Sequence, residues 1–394
     1  MKNRKETPNE VHWELKSLGQ IATIKTGKHD ANHQDSKGNY PFFTCAVGQF
    51  RSSTYAFDGP SIILPGNGAN VGKTFFYDGK FEAYQRTYVV NELVPNVNPI
   101  FLLYCFKAHW ADYIESRQFG SATNYIVLGD LKAFPIPLPP LPEQQRIVGI
   151  LDEAFEGIAA AKANAEKNLQ NARALFDSHL HSIFTQRGDG WVEKPLGTMC
   201  ERITKGSSPK WQGIAYVDKP GVLFVTSENV GEYELLMDHP KYVEAQFNAK
   251  DKKSILKIGD VLTNIVGASI GRTAVFDLEA VSNINQAVCL IRCNPSLLNR
   301  YFLTYLLNSP VFKQVLHDNE IDNARANLSL GFFSKLPLPV PPLPKQQEIV
   351  GRLDSLRTET QRLESIYQQK LAALEALKKS LLHRAFTGQL TMDN

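Results

Sequence analysis

Apolar side chains recur at every third or fourth position through two long proline-free stretches, one after Pro142 and one after Pro344, and this period predicts two long helices. In the second stretch Leu353, Leu356, Thr360, Leu363, Tyr367, Lys370, Leu374, Leu377 and Leu381 form a coiled-coil seam with two polar interruptions. In the first, the same register falls on Leu151, Ala154, Ile158, Ala161, Ala165, Asn168, Ala172, Leu175 and His179, so small residues occupy its middle. An alanine-lined seam interdigitates with a bulky one, and antiparallel pairing brings Ala165 near Tyr367. Both helices start at a proline, in Pro142-Glu143-Gln144-Gln145 and Pro344-Lys345-Gln346-Gln347, where the missing N–H costs nothing. About 44 residues at 1.5 Å each make a rod of roughly 65 Å.

Elsewhere the period shortens. Residues 13–133 and 191–335 carry short β-type runs, such as Ser61-Ile-Ile-Leu64, Tyr88-Val-Val90, Val222-Leu-Phe-Val225 and Ala287-Val-Cys-Leu-Ile291, separated by Gly, Asn and Asp turns. Each segment ends in a helical stretch, Pro99 to Tyr113 and Leu297 to Leu316. The predicted fold class is α+β: two α/β domains with curved, partly barrel-like sheets, joined by two long helices that form an antiparallel coiled coil with pseudo-two-fold internal symmetry. One globular segment precedes the first helix and the other lies between the helices, so antiparallel pairing would set them at opposite ends of the rod.

The symmetry follows from an internal repeat. Residues 135–152 read PIPLPPLPEQQRIVGILD and residues 337–354 read PLPVPPLPKQQEIVGRLD, an offset of 202 (337 against 135). It persists without a gap to Leu180-His181 and Phe184-Thr185, matched by Leu382-His383 and Phe386-Thr387. Weaker echoes pair Trp13 and Leu18-Gly19 with Trp191 and Leu196-Gly197, and Lys25-Thr26-Gly27 with Thr204-Lys205-Gly206. Gly68-Ala-Asn-Val-Gly72-Lys73-Thr74 parallels Gly267-Ala-Ser-Ile-Gly271-Arg272-Thr273. The remaining sequence of the two halves differs strongly, which suits two domains that read different targets; an old duplication without that division of labour is the plainer alternative.

Composition adds boundaries. At 394 residues the chain holds two or three domains, and 43% hydrophobic with 21% charged residues describe a soluble globular protein. No apolar run approaches the roughly 20 residues of a membrane span, and the polar N-terminus does not read as a secretory signal, so a cytoplasmic protein is expected. Cys45, Cys105, Cys200, Cys289 and Cys293 form no C-x-x-C pair, which suits a reducing compartment and argues against a structural zinc site. A net charge of +3 is no global basic signature, so any nucleic-acid contact must come from local patches.

The order of globular domain, PLPPLPEQQRIV helix, second globular domain and PPLPKQQEIV helix ending in Phe386-Thr-Gly-Gln-Leu390 resembles the specificity subunits of type I restriction-modification systems. The resemblance covers nearly the whole chain, and its most specific parts are Pro139 to Asp152, Pro341 to Asp354 and Phe386 to Leu390. It implies a non-catalytic chain with target recognition domains at 1–133 and 188–335. Each is followed by a proline-rich lead-in and spacer helix, at 134–187 and 336–394. It implies recognition of a bipartite, asymmetric double-stranded DNA site. The implied partners are two adenine methyltransferase subunits and, for cleavage, restriction/translocase subunits. S-adenosylmethionine, ATP and Mg would belong to those partners, with no cofactor and no metal on this chain. The alternative is a coiled-coil scaffold or interaction protein without base readout.

Reading DNA requires cations for phosphates and Arg, Lys, Asn or Gln for base edges. Candidates in the first domain are Lys25, Lys28, Arg51, Lys73, Arg86, Arg117 and Asn124; in the second, Lys205, Lys210, Trp211, Arg272, Asn285, Arg325 and Asn327. Lys73 and Arg272 stand out because the glycine turns place them equivalently. The glycine-rich stretch is not a nucleotide-binding loop: Asn67 stands where the first glycine belongs, and the second copy has Arg272 in place of the lysine. Amino-methyltransferase chemistry needs a D/N-P-P-Y/F motif, and the Pro-Pro pairs at 139 and 341 are followed by Leu. His29 and His33 stand four apart, as ligands on a helix could, but their polar surroundings read as a loop with solvated histidines.

Overall fold

A computed structural model describes residues 13–46, 48, 50–115, 117, 124–218, 221–320 and 327–390. The chain divides into two compact units, residues 1–166 with 369–394 and residues 167–368.

The first unit runs through β1 (Glu14–Ser17), α1 (Leu18–Ile21), β2 (Thr23–Thr26), β3 (Tyr40–Phe43), β4 (Phe50–Ser52), β5 (Ser61–Pro65), β6 (Phe75–Tyr77), β7 (Glu82–Ala83) and β8 (Thr87–Asn91). Helices α2 (Pro99–Glu115) and α3 (Leu128–Ala133), strand β9 (Pro135–Leu138) and the long helix α4 (Leu141–Thr185) follow. One antiparallel sheet has the order β2-β8-β5-β6, and a smaller sheet has the order β4-β3-β7 with β3 and β7 parallel. Helix α2 is apolar on most of its surface because it is covered twice. Ile62, Leu64 and Val90 of the sheet and Ile147, Leu151 and Phe386 of the long helices enter one core with Phe101, Phe106 and Trp110.

The second unit repeats the plan through β10 (Val192–Pro195), β11 (Cys200–Lys205), β12 (Tyr216–Val217), β13 (Val222–Val225), β14 (Tyr242–Val243), α5 (Gln246–Lys250), β15 (Val261–Asn264), β16 (Thr273–Val275), β17 (Ser282–Ile284) and β18 (Val288–Cys293). Then come α6 (Arg300–Asn308), α7 (Pro310–Asp318), α8 (Leu330–Lys335), β19 (Pro337–Val340) and the long helix α9 (Leu343–Phe386). The main sheet order, β11-β18-β15-β16, matches β2-β8-β5-β6 strand for strand, and β13 and β17 repeat the parallel pair. Both main sheets are open rather than closed barrels. The single helical stretch expected over 297–316 is two helices, because Ser309 caps α7 through the Phe312 N–H and Pro310 begins it.

The proline-rich lead-ins belong to the heads. β9 pairs antiparallel with β1, and β19 with β10, so each unit is closed by a two-stranded ribbon made from its two ends. Ile136 and Leu338 point into the cores, while Pro135 and Pro337 face outward; a strand with alternating prolines is tolerated in such a ribbon, where only every second N–H is needed.

Each long helix is then locked to its head by the same side chains. Buried Gln144 accepts from the Asn98 N–H at 2.8 Å and donates to the Asn96 and Pro139 carbonyls at 2.9 and 2.8 Å. Buried Gln346 accepts from the Asn299 N–H at 2.8 Å and donates to the Leu297 and Pro341 carbonyls at 3.1 and 2.9 Å. Two turns further on, the Tyr104 hydroxyl donates to Asp152, and Tyr305 donates to Asp354 at 2.5 Å.

Within each unit the long helices run antiparallel. In the first, the Lys378 ammonium lies over the Phe155 ring at 5.4 Å and Lys162 pairs with Glu375 at 2.7 Å, so one helix ascends as the other descends. In the second, Arg173 meets Glu364 at 3.0 Å while Leu180 and Phe184 share a core with Ile349 and Leu353. Along α4 the buried apolar positions are Ile147, Leu151, Ile158, Ala165, Ala172, Phe176, Leu180 and Phe184, with Ala161 half-buried. Along α9, Leu353 and Thr360 are buried and Leu363 and Tyr367 half-buried. Two expected seam residues are off it: Leu175 is 51% exposed and Leu377 is 47% exposed. A strict heptad drifts by about 20° per repeat against a straight helix, and here Phe176 takes the buried place beside Leu175, while exposed Lys378 reaches over the Phe155 ring.

Candidate nucleic-acid interface

The turn after β5 is built by glycines with positive φ, +86° at Gly68 and +94° at Gly72, and the turn after β15 by Gly267 and Gly271 at +77° and +86°. The two close identically: the Val71 N–H donates to the Gly68 carbonyl and Lys73 N–H to that of Asn70, as Ile270 does to Gly267 and Arg272 to Ser269. Each turn presents an exposed cation at its end, Lys73 or Arg272. Lys73 is steadied by the Asn70 side chain at 2.8 Å.

In the first unit the backbone joins this turn to two other segments. Gly66 N–H donates to the Arg86 carbonyl at 2.9 Å, Gly68 N–H to the Asn124 carbonyl at 2.8 Å, and Asn67 bridges to Tyr125. Asn67, Gln85, Arg86, Tyr88 and Tyr125 with Thr26 thereby surround a concavity of about 350 Å³. Burial raises the Tyr88 hydroxyl above its usual range and keeps it protonated, and it donates to the Ile126 carbonyl at 3.4 Å. Amide, guanidinium and phenol groups around one cleft are the donors and acceptors that base edges and phosphates require.

The structure gathers Arg86, Asn124 and the Lys73 turn, and places Lys28 just past Gly27, in the chain segment leading from β2. Gly27 has no room for a side chain: a Cβ would stand 1.6 Å from the Ala83 carbonyl oxygen, as one at Gly206 would stand 1.8 Å from that of Ile284. Three other candidates are engaged elsewhere. Lys25 pairs with Glu92 at 2.8 Å and holds that carboxyl below its usual range. Arg51 donates to the Gly38 and Asn39 carbonyls at 2.6 and 2.9 Å, stapling the loop before β3. Arg117 caps its own helix end on the Tyr113 carbonyl and stacks over the Tyr113 ring at 4.1 Å.

In the second unit Gly206 N–H donates to the Asn285 carbonyl, and the Asn285 side chain accepts from the Ala287 N–H at 3.0 Å, which turns the chain into β18. Asn327 bridges to Val266 beside the glycine turn, as Tyr125 does to Asn67. Lys205 ends β11 exposed, and Lys210 and Trp211 occupy a helical turn braced by a chain of side chains, Gln212 to Ser207 to Asp251. That brace leaves Trp211 84% exposed. Arg325 lies outside the described residues.

Asn67, Gln85 and Tyr125 are not legible as cleft residues in the sequence, because strand ends meeting in space place them there. Gln144, Gln346, Asp152 and Asp354 are marked in the sequence by their recurrence at one offset, and the structure gives that recurrence its role. His29 and His33 are less solvated than expected: their rings stack at 3.6 Å, and His33 hydrogen-bonds the Thr54 hydroxyl at 3.0 Å. Among the described residues no helix is long and apolar enough to cross a membrane.

Comparison with known proteins agrees with this architecture. The family model for the type I restriction modification DNA specificity domain matches residues 10–170 and again 188–375. The chain is 24% identical to the EcoDI specificity subunit of Escherichia coli over 97% of this chain and 89% of that protein. It is 22% identical to the MjaVIII specificity subunit of Methanocaldococcus jannaschii over 97% and 94%. Among solved structures it superimposes on the HsdS subunit from Thermoanaerobacter tengcongensis with a TM-score of 0.62 and 20% identity, covering 98% of this chain and 100% of that one. A chain from a structural study of assembly and conformational transition of the type I R-M system gives 0.77, also at 20% identity and with coverage of 98% and 100%. With its two matched segments spanning most of its length, the chain belongs to the type I restriction-modification DNA specificity family.

Proposed function

We propose that this chain is the sequence-reading subunit of a type I restriction-modification complex. In this role each head reads one half of a bipartite, asymmetric DNA site and lends that position to catalysis by other polypeptides. The observation that carries the reading is one sheet plan used twice with different side chains at the same place. The ends of β5 and β8 in one head present Asn67 and Arg86, where the Gly66 N–H meets the Arg86 carbonyl; at the matching places of the other, where the Ile265 N–H meets the Ala287 carbonyl, stand Val266 and Ala287. Equal scaffolds with unequal edges suit two different half-sites.

The partners on this reading are two methyltransferase subunits that modify adenine with S-adenosylmethionine, and restriction/translocase subunits that use ATP and Mg. This chain contributes no reacting group. The long helices serve as the spacer, and the Gln144 and Gln346 locks hold each head at a fixed angle to them. The test is an exchange of residues 13–133 for the corresponding head of a relative, followed by long-read mapping of methylated adenines. One half of the methylated motif should change and the other stay; a change in both halves, or in neither, overturns the reading. An assembled complex that binds unrelated duplexes equally well would favour a scaffold without base readout.

A further inference from the structure

Glu82 is an unusual group to find in a core. It is 1% exposed on β7, its Oε1 accepts the neighbouring Ala83 N–H at 3.0 Å, and its Oε2 receives a long 3.5 Å contact from the Thr54 hydroxyl. Among the described residues no lysine or arginine pairs with it; the ionisable neighbour is His29, whose Nε2 stands 3.8 Å from Oε2. The second head shows the contrast. Its equivalent buried residue on the parallel strand, Asn283, accepts the next N–H in the same way but is neutral. The Asn283 amide donates to Asn248 at 2.7 Å and to the Asp251 carbonyl at 3.1 Å. Burying a carboxylate without a compensating cation is costly, so the first head has an acidic side chain where the second has a satisfied amide.

His33 completes the cluster. One ligand atom each from His29, His33 and Glu82 lie within 4.8 Å of one another. A helical turn over Ala31–His33, capped by Asp30, brings the two imidazoles to the same side. We propose that His29, His33 and Glu82 bind one divalent transition metal ion of the zinc class. Two imidazoles and a carboxylate are a zinc donor set, with a fourth position open to water or to the Thr54 hydroxyl. Ligand atoms around tetrahedral zinc stand about 3.3 Å apart, so the 3.8 Å His29–Glu82 separation closes a little and the other separations, all within 4.8 Å, close further. The rings lie face to face at 6°, and binding requires each to turn about its Cβ–Cγ bond until one nitrogen of each faces the ion.

The ion would fasten the segment after Gly27 to β7. His29 bridges to Tyr84 and its carbonyl accepts the Gln85 N–H at 2.8 Å, so the same clamp steadies Gln85 and Arg86 at the cleft. The experiment is titration of the full chain with Co²⁺ and Zn²⁺ against a chromophoric chelator, with His29→Ala, His33→Ala and Glu82→Gln compared. His29 is 42% exposed, so its variant keeps the fold even if the buried glutamine does not. The expected result is one ion per chain, no thiolate charge-transfer band with cobalt, and affinity lowered by on the order of 100-fold or more in each variant, beyond what loss of an outer partner costs. Unchanged affinity in His29→Ala and His33→Ala, or a thiolate signature, overturns the site.

Discussion

Single side chains decide how rigidly each head is held. Gln346 satisfies one N–H and two carbonyls at the start of α9, and its truncation strands them in a buried junction. Gln346→Ala should destabilise the second unit by about 2–3 kcal/mol in denaturant unfolding; a change within about 0.5 kcal/mol would make the lock decorative. His109 acts through charge. It meets the Phe386 ring edge-on at 5.6 Å, and burial first, then the nearby His383, push its pKa below 6.5. A depressed folded pKa means the unfolded chain takes up the proton more readily. The stabilisation is therefore complete above pH 6.5 and is lost as pH falls through the folded value. Thermal unfolding from pH 7.5 to 5 should show a steeper acid loss in the native chain than in His109→Gln. At the cleft, Arg86→Ala in the assembled complex should weaken specific DNA binding by about 1–3 kcal/mol and relax one position of the motif. Arg51→Ala should leave the motif unchanged, since its guanidinium serves loop carbonyls.

At the scale of elements, the long helices were legible because their period persists over many turns, whereas their exact seam was not. The choice between Leu175 and Phe176 depends on whether the contact follows a 3.5 or a 3.6 period, and both residues are apolar. Phe176 wins because it meets the rings of Tyr233 and Tyr305 in the second head's core. Phe176→Ala should cost roughly 3 kcal/mol and Leu175→Ala under about 0.5 kcal/mol, both by chemical denaturation; equal costs would restore the strict heptad. The proline runs read as lead-ins to helices, and their first halves are strands, because pairing with residues more than a hundred positions away leaves no local trace.

For the whole molecule the spacer role sets the prediction. Inserting one heptad into each long helix at matched levels keeps the same face in contact and adds about 10 Å. The gap between methylated half-sites should then grow by about three base pairs. A methylome with the original gap would remove the spacer role while leaving the heads as readers.

The duplication, the two helices, the α+β class and the glycine turns were determined by sequence alone, because each is written in local period or in self-similarity at a near-constant offset. Only tertiary structure decided which cations face a cleft, which are spent on loop carbonyls, and that His29 and His33 meet a buried glutamate. Those outcomes depend on strand ends and loops converging from distant parts of the chain, and a residue's type does not reveal what its neighbour in space will be.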